Sequence, residues 1–288
     1  METSQQNLTT NFQSFIQRFQ SLNYDFRIAV TTTDAWRGKY TGNNTVRRWK
    51  SSSPTLGASG VYVIDKDTPQ VTDVFLKNAT QGINGSGDER AFESMEDALS
   101  YAPNADFRRD GAYLAVIVLS DEDDFSASVS SYQNNNYNSA NLYPLSRYVN
   151  LLNTNAGAGN YSVNAITILD TNCLATLQNS FTGRLIGQRY IQLAQITGGQ
   201  TGSLCGDFSN ILSGISDTII AAASKYKLDR EPIESTIRVI VNGTDLLKDA
   251  TNGWSYDPAL WEISFHGTGI PAVGANVQIS FDPAKPKF

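Results

Sequence analysis

The sequence predicts an α/β protein: an open, mostly parallel, doubly wound sheet over residues 1–228, then a small all-β module over 229–288. Three observations predict it. Up to about Arg230, strand-like apolar runs alternate with helical patterns. AYLAVIVLS (Ala112–Ser120) is a near-continuous apolar run, the signature of a central parallel strand buried on both faces. Beyond Arg230 the pattern changes to short alternating runs punctuated by glycine and proline.

Each element follows from local pattern. Leu8, Phe12, Phe15, Ile16, Phe19 and Leu22 recur at helical spacing. Phe26–Asp34 and Gly60–Asp65 read as strands, with a polar stretch carrying Trp36, Arg37, Arg47, Arg48, Trp49 and Lys50 between them. A short helix is expected over 72–79. The glycine loop GINGSGDE follows, then a helix bearing Phe92, Met95 and Leu99 that Pro103 helps to end. After Ala112–Ser120 come a helix around Leu145–Leu152, a buried strand over Tyr161–Leu169, a short helix around Tyr190 and a short strand over Thr201–Cys205. Phe208, Ile211, Leu212, Ile215 and Ile219 make a long amphipathic helix, with Asp207 as its N-cap. In the β module, Asn242-Gly243 sits between alternating apolar residues, the signal of a hairpin turn. WEISFHG and VQISFDP are further strands. The module is small enough that it is expected to pack on the first domain.

Composition narrows the function. Only 17 % of residues are charged and the net charge is −6, so no basic footprint suits a nucleic acid. No run approaches the roughly 20 apolar residues of a membrane span, and Met1 is followed by polar residues rather than a signal peptide. The abundant Asn, Ser, Thr, Gly and Tyr suit an uncharged polar surface of a kind common outside the cytosol. The two cysteines, Cys173 and Cys205, lack a CxxC neighbour, which argues against a redox motif or zinc site. They read either as buried thiols or as a disulfide. The disulfide is expected, because they flank segments that should pack side by side, and it implies an oxidising compartment. The single histidine, His266, excludes multi-histidine metal sites and reads as a strand-end surface residue. Sequons at Asn7, Asn43, Asn78, Asn84, Asn160 and Asn242 are chance products of a chain rich in Asn, Ser and Thr.

The apolar run of Ala112–Ser120 ends in four consecutive carboxylates, Asp121, Glu122, Asp123 and Asp124. Like charges at the mouth of a buried strand need either water or a cation. In open α/β sheets, sites form at the carboxyl ends of the strands. With GINGSGDE, VIVLSDEDD and ITGGQTGSLCGDFSNILSGI in this order, the first domain resembles a von Willebrand factor A domain. The resemblance implies a site for a hard divalent cation, Mg2+ or Ca2+, that an acidic group of a protein or cell-surface ligand completes. Asp121 would be its aspartate and Ser86 its hydroxyl ligand, where the family usually has threonine. Glu122, Asp123 and Asp124 would hold a second cation with Asp88 or Glu89 from the facing loop. The family's Asp-x-Ser-x-Ser motif is absent. The expectation is that Met1 corresponds to the methionine that often follows it, and that the natural chain extends upstream.

Two further loops should lie near that face. Asp34–Lys50 carries Trp36, Arg37 and Trp49, and Ser126–Tyr143 carries Tyr132 and Tyr137 in a Ser- and Asn-rich setting suited to adaptable binding. The leading expectation is an extracytoplasmic, metal-dependent adhesion or interaction module without catalytic activity. The alternatives are a structural spacer with a degenerate metal site and a glycosidase built on a carboxylate pair.

Overall fold

The computed structural model describes residues 1–22, 24–178, 183–272 and 274–285. The chain opens with helices α1 (Glu2–Thr10) and α2 (Phe12–Ser21), then strand β1 (Arg27–Ile28). Short helices α3 (Arg37–Thr41) and α4 (Asn44–Arg47) precede strands β2 (Ser52–Ser53), β3 (Gly57–Ala58) and β4 (Ile64–Asp65). Next come α5 (Val71–Ala79), α6 (Ala91–Ser100), β5 (Leu114–Ser120), α7 (Leu145–Ala156), β6 (Tyr161–Thr167), α8 (Thr171–Gln178), α9 (Gln188–Ile196), β7 (Thr201–Ser203) and α10 (Phe208–Ala223). The remainder is β8 (Lys225–Lys227), β9 (Arg238–Val241), β10 (Thr244–Leu246), β11 (Trp254–Asp257), β12 (Glu262–Phe265) and β13 (Val277–Ser280).

The architecture is mixed α/β. Strands β5, β6 and β7 form a parallel sheet in that order, with Leu114 opposite Tyr161 and Ala165 opposite Thr201. Side chains alternate across its two faces. Leu114, Val116 and Val118 join Val163 and Ala165 in a core with Phe92 and Met95 of α6, Tyr148 and Leu152 of α7, and Tyr190 and Leu193 of α9. Ala115, Ile117 and Leu119 join Ile166 on the opposite face, against Phe12, Ile16 and Phe19 of α2 and Leu212, Ile215 and Ile219 of α10. Burial of this apolar area on both faces is the main term holding the layers together. Asn164 is fully buried in β6 and satisfied there: its Nδ2 donates to Val116 C=O and its Oδ1 accepts from Gln200 N–H.

Several expectations meet the structure closely. Asp207 caps α10, accepting from Ser209 N–H at 2.9 Å and Asn210 N–H at 3.3 Å. Cys173 and Cys205 form a disulfide. Asn242 and Gly243 both take positive φ (51° and 83°) in the tight turn between β9 and β10, as a type I′ hairpin requires. Others need correction. The strands expected over Phe26–Asp34 and Gly60–Asp65 contract to β1 and β4, which pair antiparallel with each other, apart from the parallel sheet. Beyond β1 the backbone finds other partners: Val30 C=O accepts from Lys50 N–H and Thr33 C=O from Ser94 Oγ. The central position expected for β5 belongs to β6, which is buried at all seven residues. The C-terminal sheets are β10-β9-β13 and β11-β12-β8. Because β8 pairs with β12, residues 225–227 enter the C-terminal sheet. Trp254, Ile263 and Phe265 share a core with Ile219, Ile220 and Leu228.

Candidate functional site at the carboxyl end of the parallel sheet

β5 delivers the acidic run to the carboxyl edge of the sheet, where the loop before α6 and the segment before α9 meet it. The four carboxylates part company there. Asp121, buried at 7 % exposure, meets cations: its Oδ2 accepts from the Met1 ammonium at 3.2 Å and from Arg184 Nε at 3.0 Å. Glu122 is half-buried; its N–H donates to Ser120 Oγ. Asp123 and Asp124 are fully buried and turn inward. Asp123 accepts from Asp124 N–H, Arg189 N–H and Tyr137 Oη at 2.8, 3.0 and 2.8 Å. Asp124 accepts from Phe92 N–H at 3.0 Å, and from Ser126 Oγ and N–H at 2.8 and 3.1 Å. Arg189 Nε lies 3.5 Å from its Oδ2. Ser126 Oγ accepts from Glu93 N–H. Asp124 and Ser126 thus satisfy amides in the first turn of α6, where a carboxylate also complements the helix dipole.

The facing loop supplies Ser86, Asp88 and Glu89. Ser86 N–H donates to Asp34, and Ser86 Oγ accepts from Asp88 N–H at 3.2 Å. Asp88 is buried; its Oδ2 accepts from Arg90 Nη2 and Gln133 N–H, both at 2.8 Å, while its buried Oδ1 has no partner among the described residues. Burial pushes the Glu89 carboxyl up to about 7, and the charges of Asp121, Asp34 and Asp124 add to it against a hydrogen bond from Thr33. Glu122 rises to about 8, first by burial and then by Glu89 and Asp121, with Arg184 opposing. Burial lifts Asp124 to about 6 despite Arg189 and its hydrogen bonds.

The expected ligand residues separate in the same way. Trp36 and Trp49, expected on a binding surface, are both buried at 5 % exposure. Trp49 Nε1 donates to Asn104 C=O, and its ring packs edge-on against Phe107. Large aromatic rings in a polar loop bury wherever a scaffold offers them area. Arg37, Tyr132 and Tyr137 remain exposed. Sequence reasoning missed Arg90. It is fully buried, stacks 4.0 Å over Trp36, pairs with Asp88 and Glu93, and donates to Val129 and Ser131 C=O at 2.7 Å each. One guanidinium therefore fastens the Ser126–Tyr143 loop to the loops that carry Trp36 and Asp88. The only local hint was an arginine beside a helix start in an acidic loop.

The oxygen-rich donor chemistry suits a hard cation, but among the described residues no three His, Cys, Asp or Glu side chains converge to hold a metal ion. Asp123 and Asp124 spend their oxygens on backbone and arginine partners. The donor set in this arrangement does not fit a complete cation site. No family model matches the chain, and no curated protein matches it. Among the described residues no helix is long and apolar enough to cross a membrane.

Proposed function

We propose that this protein is an extracytoplasmic interaction module of von Willebrand A-like fold, with its ligand face at the carboxyl end of the parallel sheet. The observation that carries the reading is the gathering of Glu89, Asp121 and Glu122 at that edge, with the first and last held near 7 and 8 by burial and mutual repulsion. Carboxyls whose ionisation is resisted by burial and by one another are the groups that a cation would ionise and hold, so this edge favours a cationic occupant. The exposed Arg37, Tyr132 and Tyr137 around it supply contacts of the kind adaptable binding loops use. Mg2+ or Ca2+ and an acidic group on a protein or cell-surface ligand belong to the proposal, with Asp121 as the principal residue; catalysis does not. The disulfide supports an oxidising compartment.

A second reading, a spacer whose metal site is degenerate, is favoured by Arg184, whose Nε already lies 3.0 Å from Asp121 Oδ2. Thermal unfolding with and without millimolar Ca2+, Mg2+ and Mn2+ separates the two. A ligand that binds only the native state raises the melting temperature by mass action. The adhesin reading expects a cation-dependent rise that Asp121→Ala abolishes. An unchanged melting temperature with every cation, in the wild type, would leave the spacer reading.

A further inference from the structure

The chain holds three Asn-Gly pairs: Asn84-Gly85, Asn242-Gly243 and Asn252-Gly253. An asparagine followed by glycine carries its own nucleophile. The glycine nitrogen attacks the side-chain carbonyl carbon when the peptide between them rotates to bring the two together. Glycine permits this best, because it has no Cβ to shield the nitrogen or restrict the rotation. The fold then decides which pairs are free to turn.

Two of the three are locked. Asn242 and Gly243 occupy the type I′ turn that the pairing of Val241 with Thr244 closes. Asn242 Oδ1 accepts from Asn276 N–H at 2.9 Å, and Asn242 N–H donates to Asn276 C=O at 2.8 Å. Side chain and main chain are thus tied to the same neighbour. At Asn252 the attacking group itself is occupied: Gly253 N–H donates to Asp249 C=O at 3.0 Å. Asn252 Oδ1 accepts from Thr268 N–H at 3.3 Å. Gly253 is buried so close to Gly269 that a Cβ on Gly269 would fall 2.6 Å from Gly253 Cα.

Asn84-Gly85 has none of these ties. Both residues are exposed, in the loop between α5 and α6. Among the described residues nothing hydrogen-bonds the Asn84 amide or the Gly85 N–H. The loop is fastened on either side of the pair instead. Gln81 and Gly82 N–H donate to Gln5 Oε1 at 3.1 Å each, and Ser86 N–H donates to Asp34 Oδ1 at 3.0 Å. None of the bonds that distinguish the three pairs involves Met1 or β5.

We infer that Asn84 is a site of self-modification, and that the fold protects Asn242 and Asn252 from the same reaction. The Gly85 nitrogen bonds to Asn84 Cγ, its proton leaves with the side-chain amide as ammonia, and a cyclic imide remains. Water opens the imide at either carbonyl, giving aspartate or isoaspartate at position 84. Either product puts a further negative charge on the loop that carries Ser86, Asp88 and Glu89. The isoaspartate form also lengthens the main chain by one carbon just ahead of the Ser86–Asp34 bond. This covalent chemistry needs no cation, so it stands or falls separately from the proposed function.

The test is incubation of the whole protein at neutral pH and physiological temperature, followed by peptide mapping. Mass spectrometry reads the amide-to-acid conversion at each pair. Position 84 should convert about tenfold or more faster than positions 242 and 252, because a locked pair reacts only through its open fraction. In urea, where the locks are gone, the three rates should converge. Gly85 has no positive φ, so alanine suits its backbone, with a Cβ 3.1 Å from Asp34 Oδ2. Gly85→Ala should slow conversion at position 84 about tenfold, since the added Cβ shields the nitrogen and restricts the turn. An Asn84 amide that stays intact in the folded protein, over a time that converts it in urea, would overturn the inference. So would folded-state conversion of Asn242 or Asn252 as fast as that of Asn84, or a ranking that persists unchanged in urea. The wild-type measurements decide the matter even if the alanine variant does not fold.

Discussion

Asp121 and Glu122 differ from Asp123 and Asp124 in their partners, although the four are consecutive in the chain. The first two stand at the rim of the sheet, and burial, followed by the charges of Glu89 and Asp121, raises the Glu122 carboxyl against ionisation. The second two are sealed inside and hold together α6, the first turn of α9 and the Tyr137 loop. A run of like charges is therefore two devices: a polar bracket for the fold and a partly buried acidic rim. What separates them is the supply of donors. Backbone amides at a helix start, a serine hydroxyl and the Arg189 side chain reach Asp124, whereas Asp121 meets the Arg184 side chain and Glu122 lies among other carboxylates.

The comparison breaks most visibly at Asp124. Asp124→Ala leaves Arg189 and the first-turn amides of α6 without their buried partner. Stripping one member from a buried charged network costs about 3–5 kcal/mol. Urea unfolding should show that loss, and a change under about 1 kcal/mol would show that the bracket is replaceable by water.

The rim titrates in the same direction as Asp124, whose carboxyl burial lifts to about 6, but at higher pH. Glu89 and Glu122 carry pKa values of about 7 and about 8 against an ordinary 4.5. A carboxyl raised in the folded state binds its proton more tightly there than when unfolded. The stability it contributes is full below the ordinary value and is lost as pH rises through the folded value. Melting temperature should therefore fall between pH 5 and pH 8. Glu122→Gln should flatten that fall and stabilise the protein at pH 8 by about 1 kcal/mol, a figure reduced for solvent screening at a half-buried site. A pH profile identical in the variant would place the repulsion elsewhere.

The smallest effect tests the seam between bracket and rim. Tyr137 is exposed at 42 %, yet its hydroxyl donates to Asp123 at 2.8 Å. Tyr137→Phe should cost about 1 kcal/mol in urea unfolding and leave the pH slope of the rim unchanged. A steeper slope in that variant would mean that Asp123 belongs with the rim.

Local rules made much of this molecule legible. Spacing alone marks α10 and its Asp207 cap, because a helix reports its buried stripe every three to four residues. Asn242-Gly243 marks its turn, because positive φ is cheap only for such residues. The disulfide follows from two cysteines flanking neighbouring elements. The parallel strands β5 and β6 are visible as apolar runs. Tertiary structure alone decided which of them is central, since that depends on which partners reach each edge, and a strand's sequence does not carry its neighbour. It also decided the fates of Trp36 and Trp49, whose surroundings come from Arg90, Asn104 and Phe107, distant in sequence. And it divided the four carboxylates, because desolvation and hydrogen bonding act on a side chain through what surrounds it in space, and residues adjacent in the chain can meet wholly different surroundings.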